Sequence, residues 1–119
     1  MAKTYKLPGE AFGFEGEREY KLLDRVPHRI FSGFAAYRDE EKVGEAMSFL
    51  LTEMIIEGPV PGKKAGTWKQ GKLTNEYLKS DSCDAGEMRL LMDLILEDYQ
   101  VFQPESNDDL IKKVRKLSA

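Results

Sequence analysis

Apolar residues recur along the chain with two different periods, which predict strands near the N-terminus and helices after them. Within residues 4–23, large apolar side chains occupy alternate positions on both sides of Glu15, Gly16 and Glu17, whose composition suits a turn. Alternation of this kind is typical of strands with one buried face, so we expect a β-hairpin there. The alternating residues are Phe12, Phe14, Tyr20 and Leu22.

The strongest helical pattern begins at Val43, and apolar residues follow it at offsets of four, seven and eleven. These offsets place the side chains on one face of an α-helix. Asp39 can cap this helix at its start, and Gly58 followed by Pro59 predicts its end. We therefore expect helical structure up to residue 57.

Three further helices are predicted from similar patterns, each with a start signal. One follows Pro27, and a second is opened by Ser82 or Asp84. The last is capped by Ser106 or Asn107 and carries a basic face opposite its apolar one. The aligned apolar residues are Ile30, Phe31 and Phe34 in the first helix, Met88, Leu91, Ile95 and Tyr99 in the second, and Leu110, Val114 and Leu117 in the last.

Residues 58–72 differ from the rest of the chain because they contain four glycines and two prolines. This composition and length predict a loop, and loops this long in a compact domain are often functional. Lysines surround Trp68 there without an intervening acidic residue, which suits binding of an acidic protein, RNA or phosphate. Alternatively, Trp68 packs into the core and the lysines only solvate the loop. The lysines are Lys63, Lys64, Lys69 and Lys72.

Together the patterns predict one α+β domain over residues 1–119, mainly helical with a short N-terminal β-hairpin. No internal repeat or low-complexity tract divides the sequence. The expected order is a β-rich segment at 1–25, helices at 26–57, a long basic loop at 58–72, a helical part at 73–103, and a C-terminal amphipathic helix or tail at 104–119.

Composition and charge narrow the classes of function. Hydrophobic residues make up 41% and charged residues 33%, which suits a folded domain with a core. The formal net charge of −3 argues against a protein that coats nucleic acid. The longest apolar stretch, residues 47–56, is too short to span a bilayer, and the N-terminus lacks the apolar segment of a signal peptide. We therefore expect a cytoplasmic protein without a membrane partner.

Residues that could carry chemistry are few. His28 is the only histidine and Cys83 the only cysteine, so neither a zinc site nor an internal disulfide is expected. Cys83 stands at a predicted helix start, where the helix dipole could lower the pKa of its thiol, but the sequence offers it no base partner. Residues 58–64 lack the spacing of a phosphate-binding loop. We expect no catalytic residue, metal or cofactor, and hence no enzyme.

The predicted helix over residues 88–101 is apolar on more than one face. Such a helix must be enclosed by other elements or meet another subunit. Its methionines suit an adaptable interface, although methionine also fills gaps in a core. We therefore add Met92 and Leu96 to the candidate partner-binding residues, beside Trp68 and its lysines, and expect self-association as a secondary property.

The order of these features resembles the small tail assembly chaperones of long-tailed bacteriophages. The resemblance rests on the β segment from Phe12-Gly13-Phe14-Glu15-Gly16 to Tyr20-Lys21-Leu22, the chain of helices after it and the charged C-terminus, and it covers most of the chain as a pattern. It implies a non-enzymatic helper that binds the apolar, helical tape-measure protein while tail subunits assemble. It also implies oligomers and a longer frameshifted form, but it assigns no functional residue.

Three hypotheses about function therefore stand. The first is a protein-binding assembly factor, favoured by the surplus helical hydrophobicity, with a small virion structural protein as a related alternative. The second is a nucleic-acid- or phosphate-binding module that uses Trp68 and its lysines. The third, an enzyme based on His28 or Cys83, has the least support because neither residue has a partner in the sequence.

Overall fold

The structure is a computed structural model that describes residues 3–103 and 108–118. Within these residues the elements are β1 (Lys3–Pro8), β2 (Glu17–Leu22), α1 (His28–Asp39), α2 (Val43–Met54), β3 (Ile55–Pro61), β4 (Trp68–Gly71), α3 (Asn75–Leu78), α4 (Ala85–Asp98) and α5 (Asp108–Ser118). Short 3₁₀ helices occupy Gly9–Phe12 and Gln100–Phe102. Across the described ranges, every helix is too short or too polar to cross a bilayer.

The strands form one antiparallel sheet in the order β1-β2-β3-β4, so β1 and β4 are its edges. Helices α1 and α2 connect β2 to β3. The fold is α+β, but the prediction that β structure is limited to a short N-terminal hairpin is wrong. Two of the four strands lie in residues 55–71, after the first two helices.

The largest difference from the sequence prediction lies in residues 58–72, which form most of the hairpin β3–β4 rather than a long loop. Gly66 adopts a positive φ of 79° in the tight turn, whereas Gly58 lies within β3. A Cβ atom on Gly58 would stand 2.4 Å from the ring of Tyr20, so glycine permits the close packing of β3 here. Composition alone does not distinguish a glycine that turns the chain from one that permits close packing.

Helix α2 ends at Met54, before the stop predicted at Gly58. The chain enters the sheet there because Ile55 pairs with Leu22 of β2. The amide of Leu23 also donates a hydrogen bond to the carbonyl of Met54, at 3.0 Å. Pairing across the sheet therefore overrides the helical pattern that continues beyond this point.

The first strand of the N-terminal hairpin is Lys3–Pro8 and not the segment around Phe12 and Phe14, so the connection is longer than predicted. β1 pairs with β2 over the whole length of both strands. The connection starts with a 3₁₀ helix, and the amide of Gly9 donates a hydrogen bond to the carbonyl of Gly16 (2.8 Å). Phe12 and Phe14, predicted in a strand, lie in this connection and are half-buried. Their side chains pack against neighbouring residues, Phe12 against the core and Phe14 against Trp68, and neither residue pairs in the sheet.

One hydrophobic core joins the sheet to α1, α2 and α4. As predicted, α1 begins after Pro27, and α4 begins after Asp84, whose carboxylate accepts a hydrogen bond from the amide of Glu87 (2.8 Å). Asp39 was predicted to cap α2 but is the last residue of α1, and α2 instead follows Lys42. The largest fully buried side chains are Tyr20, Leu22, Ile30, Leu50, Met54, Ile55, Leu73, Leu91, Ile95 and Glu87.

Helix α5 differs from the other long helices because all of its residues are exposed. Of the two expectations for the C-terminal segment, an amphipathic helix or a tail, the structure has a helix over Asp108–Ser118. Its predicted caps, Ser106 and Asn107, lie outside the described residues. The helix places four large apolar side chains in solvent, and this exposure makes it relevant to function.

Candidate functional site

An apolar groove with a volume of about 560 Å³ lies between α1, α2 and α4. Met92 and Leu96, the partner-binding residues predicted on the second strong helix, both line it. Met92 is only 5% exposed and Leu96 is half-buried, so the groove has a well-packed apolar floor. The other large apolar residues that line it are Phe34, Val43 and Met47.

Three exposed charged side chains border this groove: Arg38, Arg89 and Asp93. The guanidinium of Arg38 lies 5.6 Å from the ring centroid of Phe34. Neither arginine forms an ion pair with any residue in ranges 3–103 or 108–118. The groove edge therefore carries two cations and one anion, although the chain as a whole is acidic.

The second uncovered apolar surface is the stripe along α5. At 3.6 residues per turn, its four large apolar side chains fall on one side of the helix. Their exposed fractions show that the described fold leaves this side in solvent. The values are 53% for Leu110, 45% for Ile111, 60% for Val114 and 87% for Leu117.

Trp68, the centre of the predicted basic loop, begins β4 and is half-buried. Its ring makes edge contacts with Phe14 and Tyr77, at centroid distances of 5.2 and 6.2 Å. The guanidinium of Arg18 lies over the indole, 4.3 Å from its centroid. The guanidinium therefore lies where a stacked base would compete with it, although Trp68 also lines a surface cavity of about 430 Å³.

The four predicted lysines have different environments. Lys63, Lys64 and Lys69 are exposed, and Lys69 shares a cavity of about 430 Å³ with acidic Glu15 and Glu17. The surface beside Trp68 is therefore mixed in charge. The fourth lysine, Lys72, is hydrogen-bonded to the end of α2.

Lys72 holds the C-terminal end of α2. Its Nζ donates hydrogen bonds to the carbonyls of Ile55, at 2.7 Å, and Thr52. A cation at this position interacts favourably with the negative end of the helix dipole, and it donates hydrogen bonds to carbonyls that have no partner within the helix. Burial lowers the pKa of Lys72. This lysine has a structural role that its position in a predicted loop did not indicate.

A buried ion pair that sequence reasoning missed joins β2 to α4. Arg18 Nε lies 2.5 Å from Glu87 Oε2, and Arg18 Nη2 lies 3.3 Å from Glu87 Oε1. Arg18 is 4% exposed and Glu87 is 0% exposed. The guanidinium also lies 3.7 Å from the ring centroid of Phe14. The pair and its aromatic neighbours fix the sheet against α4.

The sequence contained a partial signal for this pair. Arg18 occupies the same alternating phase as Tyr20 and Leu22, and strand residues in one phase share a face. Glu87 precedes Leu91 by four residues, so both lie on the buried face of α4. The pairing itself could not be deduced, because it joins residues far apart in the chain.

The two candidates for enzyme chemistry, His28 and Cys83, neither line the groove nor belong to α5. His28 is the exposed first residue of α1. Burial, with smaller contributions from the charges of Glu87 and Asp84, raises the pKa of Cys83. Burial therefore outweighs any lowering of this pKa by the helix dipole. Within the described ranges, no three His, Cys, Asp or Glu side chains are grouped as metal ligands.

No family model, curated protein or solved structure matches this chain. The two apolar surfaces and the buried ion pair are therefore the features from which a function is inferred. The apolar surfaces can bind a partner, because burying exposed apolar area is favourable. The ion pair is enclosed within the fold and acts on its stability.

Proposed function

We propose that this protein is a non-enzymatic assembly factor that binds an amphipathic helix of a client protein. The observation that carries the proposal is the stripe on α5, where four large apolar side chains are exposed on one side of an 11-residue helix. Helices of this length are marginally stable in water without packing. A partner that covers the stripe would stabilise α5 and bury its apolar area.

The groove between α1, α2 and α4 supports the same proposal. Met47 and Met92 line it, and methionine side chains adapt readily to different apolar partners. Helix binding in apolar grooves is a recurring mode of peptide recognition. A client helix that contacts the groove, the α5 stripe or both would be shielded from aggregation.

The most specific form of this proposal is a phage tail assembly chaperone that acts in the host cytoplasm. Its client would be a helical protein such as the tape-measure protein or a tail subunit. Support comes from the uncovered apolar surfaces and from the sequence pattern that resembles this family, although the second hairpin, β3–β4, departs from a β segment followed only by helices. Self-association would accompany this role.

Co-purification tests the proposed function. The tagged protein is recovered from its native host or from phage-infected cells, and bound proteins are identified by mass spectrometry and sized by light scattering. We expect a long helical protein or a tail subunit to be recovered in a defined complex. Replacing Leu110, Val114 and Leu117 by serine should reduce that recovery by about tenfold or more, because the stripe loses its apolar contacts.

The matched control changes residues on the opposite side of the same helix. Lys112→Ser with Lys116→Ser alters α5 without touching the stripe, so client recovery should stay near the original level. If the triple serine variant recovers the same partners in the same amounts, the stripe is not the binding surface. Nucleic acid as the only co-purifying component would contradict the assembly-factor role.

A further inference from the structure

The chemistry of the client helix can be inferred from the charges that border both apolar surfaces. We infer that the client helix carries acidic side chains along the edges of its apolar face. This inference rests on the proposed function and specifies the partner of the same surfaces. It is carried by the basic side chains of the groove and of α5.

At the groove, two arginines and one aspartate border the apolar floor. Arg38 and Arg89 are exposed, and neither has an ion-pair partner in the described residues. Asp93 lies one turn after Arg89 on α4, but the two side chains are not within ion-pair distance. An acidic side chain on a docked helix can therefore pair with either arginine.

On α5, basic residues border the apolar stripe on both sides. At 3.6 residues per turn, Lys113 lies beside Leu117 on one side and Arg115 lies beside Ile111 on the other. Asp108 and Asp109, in the first turn, lie on the two flanks of the helix, farther around from the stripe than Arg115 and Lys113. A helix packed on this stripe therefore meets cations along both of its edges.

The overall charge does not explain this arrangement. Of the 18 basic and 21 acidic residues in the chain, α5 holds four and two, which leaves the other 108 residues with a net charge of −5. Positive charge is thus concentrated at α5 and at the groove edge within an acidic protein. Complementary charge at the rim of an interface selects partners and accelerates association.

The same charges argue against a second copy of this chain as the occupant. The exposed apolar stripe that one copy could offer to another is on α5, which is bordered by Lys113 and Arg115. Docking it into a groove bordered by Arg38, Arg89 and Asp93 would bring mostly like charges together. Like-charge contacts at an interface oppose binding. A separate protein with acidic edges fits both surfaces better.

Two synthetic helical peptides of about 16 residues test this inference. Both carry the same leucine and isoleucine face, and their edge positions are glutamate in one and lysine in the other. Fluorescence anisotropy with the full-length protein in about 50 mM salt should show the glutamate peptide binding about tenfold more tightly. The difference should shrink as salt rises, because rim charges are screened.

Charge-reversal variants test which basic residues produce the preference for the glutamate peptide. Arg38→Glu with Arg89→Glu, and separately Lys113→Glu with Arg115→Glu, should each reduce the preference for the glutamate peptide by about threefold or more. The matched control, Lys112→Glu with Lys116→Glu, makes the same change of charge on the opposite face of α5 and should have a smaller effect. Circular dichroism checks that the variants remain folded.

Each remaining outcome contradicts a defined part of the account. Equal binding of both peptides, or tighter binding of the lysine peptide, overturns the acidic-edge inference and leaves the assembly-factor proposal standing. Failure of both peptides to bind overturns the proposed function as well. A dimer that neither peptide dissociates, and that replacing Leu110, Val114 and Leu117 by serine converts to a monomer, would show that a second copy occupies the stripe, which also overturns the inference.

Discussion

Helices α4 and α5 have amphipathic sequences but opposite environments. In α4, Met88, Leu91 and Ile95 are buried in the core. In α5, every residue is exposed, including the four large apolar ones. Amphipathicity therefore predicts that a helix has a surface to bury, and it does not specify whether the same fold or a partner buries it.

The difference arises from long-range contacts that α4 makes. Glu87 is held by Arg18 of β2, and the hydroxyl of Tyr99, at the end of α4, donates a hydrogen bond to the carbonyl of Leu23 (2.5 Å). Tyr5 of β1 donates to the carboxylate of Asp98 at 2.6 Å. Both ends of α4 are thus fixed to the sheet region, whereas the apolar side of α5 remains available.

The largest loss of stability is expected when the ion pair that attaches α4 to the sheet is broken. Arg18→Met should destabilise the protein by about 3–5 kcal/mol, because it leaves the buried carboxylate of Glu87 without its cation. Urea denaturation followed by circular dichroism measures this change. Glu87→Leu should be similarly costly, because it leaves the guanidinium of Arg18 buried without its anion.

The double variant provides the control for that prediction. Arg18→Met combined with Glu87→Leu removes both charges together, so its cost should be well below the sum of the two single costs. Additive losses would mean that the two residues stabilise the fold independently. In that case the ion pair would not explain how α4 is attached to the sheet.

The next comparison removes one leucine from each helix. Leu91→Ala in α4 should cost about 2–5 kcal/mol, because a fully buried side chain leaves a cavity. Leu110→Ala in α5 should change the stability by less than about 0.5 kcal/mol, because the side chain is already 53% exposed. Equal losses in the two variants would show that α5 packs in solution.

Alkaline pH should lower the free energy of unfolding, because tyrosines packed around α4 and the sheet have raised pKa values. Burial, with the charges of Asp98 and Asp24, raises the pKa of Tyr99 from 10.0 to about 12. The folded state holds this proton more tightly, so the stabilisation is present below pH 10 and is lost as pH rises towards 12. Burial raises the pKa values of Tyr5, Tyr20 and Tyr77 in the same direction.

Urea denaturation at a series of pH values from 8 to 11.5 measures this effect. The free energy of unfolding should be nearly constant up to about pH 9.5 and then fall. Tyr99→Phe should show a shallower fall over the same range, because it removes one of the raised phenols. A profile that is flat to pH 11.5 would contradict the buried environment of these tyrosines.

The smallest difference in stability is expected between two lysine variants, one at the end of α2 and one in α5. Lys72→Met should cost about 1 kcal/mol, because two carbonyls at the end of α2 lose their donor. Lys113→Met in α5 should change stability by no more than about 0.5 kcal/mol, since it removes an exposed charge. Thermal melts distinguish the two. Equal shifts would mean that Lys72 does not act as a cap.

Local signals predicted the helices well because their determinants lie close together in the sequence. Pro27 marks the start of α1, and Asp84, one of the two residues expected to open α4, caps it, whereas the cap and the end expected for α2 were wrong. The hairpin β3–β4 was missed because Gly58 and Pro59 favour a loop locally. Its strand structure depends on pairing with distant residues, such as Ile55 with Leu22, which no local pattern reveals.

The candidate site was only partly predictable for the same reason. Met92 and Leu96 were predicted from the apolar surplus of α4, and they line the groove. The arginines that border it come from different helices and carried no signal of their own. The sequence predicted Lys72 in a binding loop. Its contact with the end of α2 forms only when the sheet is folded, so no local pattern indicated it. The exposure of α5 could not be predicted from its pattern.

The central claim is that α4 is buried in the core while the apolar stripe of α5 is exposed until a partner binds it. Hydrogen–deuterium exchange tests this claim most directly. In the isolated protein, amides in the middle of α4 should exchange slowly, with protection near the global stability, and amides of α5 should exchange within seconds. Addition of the glutamate-edged peptide should slow exchange in α5 by about tenfold or more. If α5 is as protected as α4 in the isolated monomer, its apolar stripe is already buried and the account is contradicted.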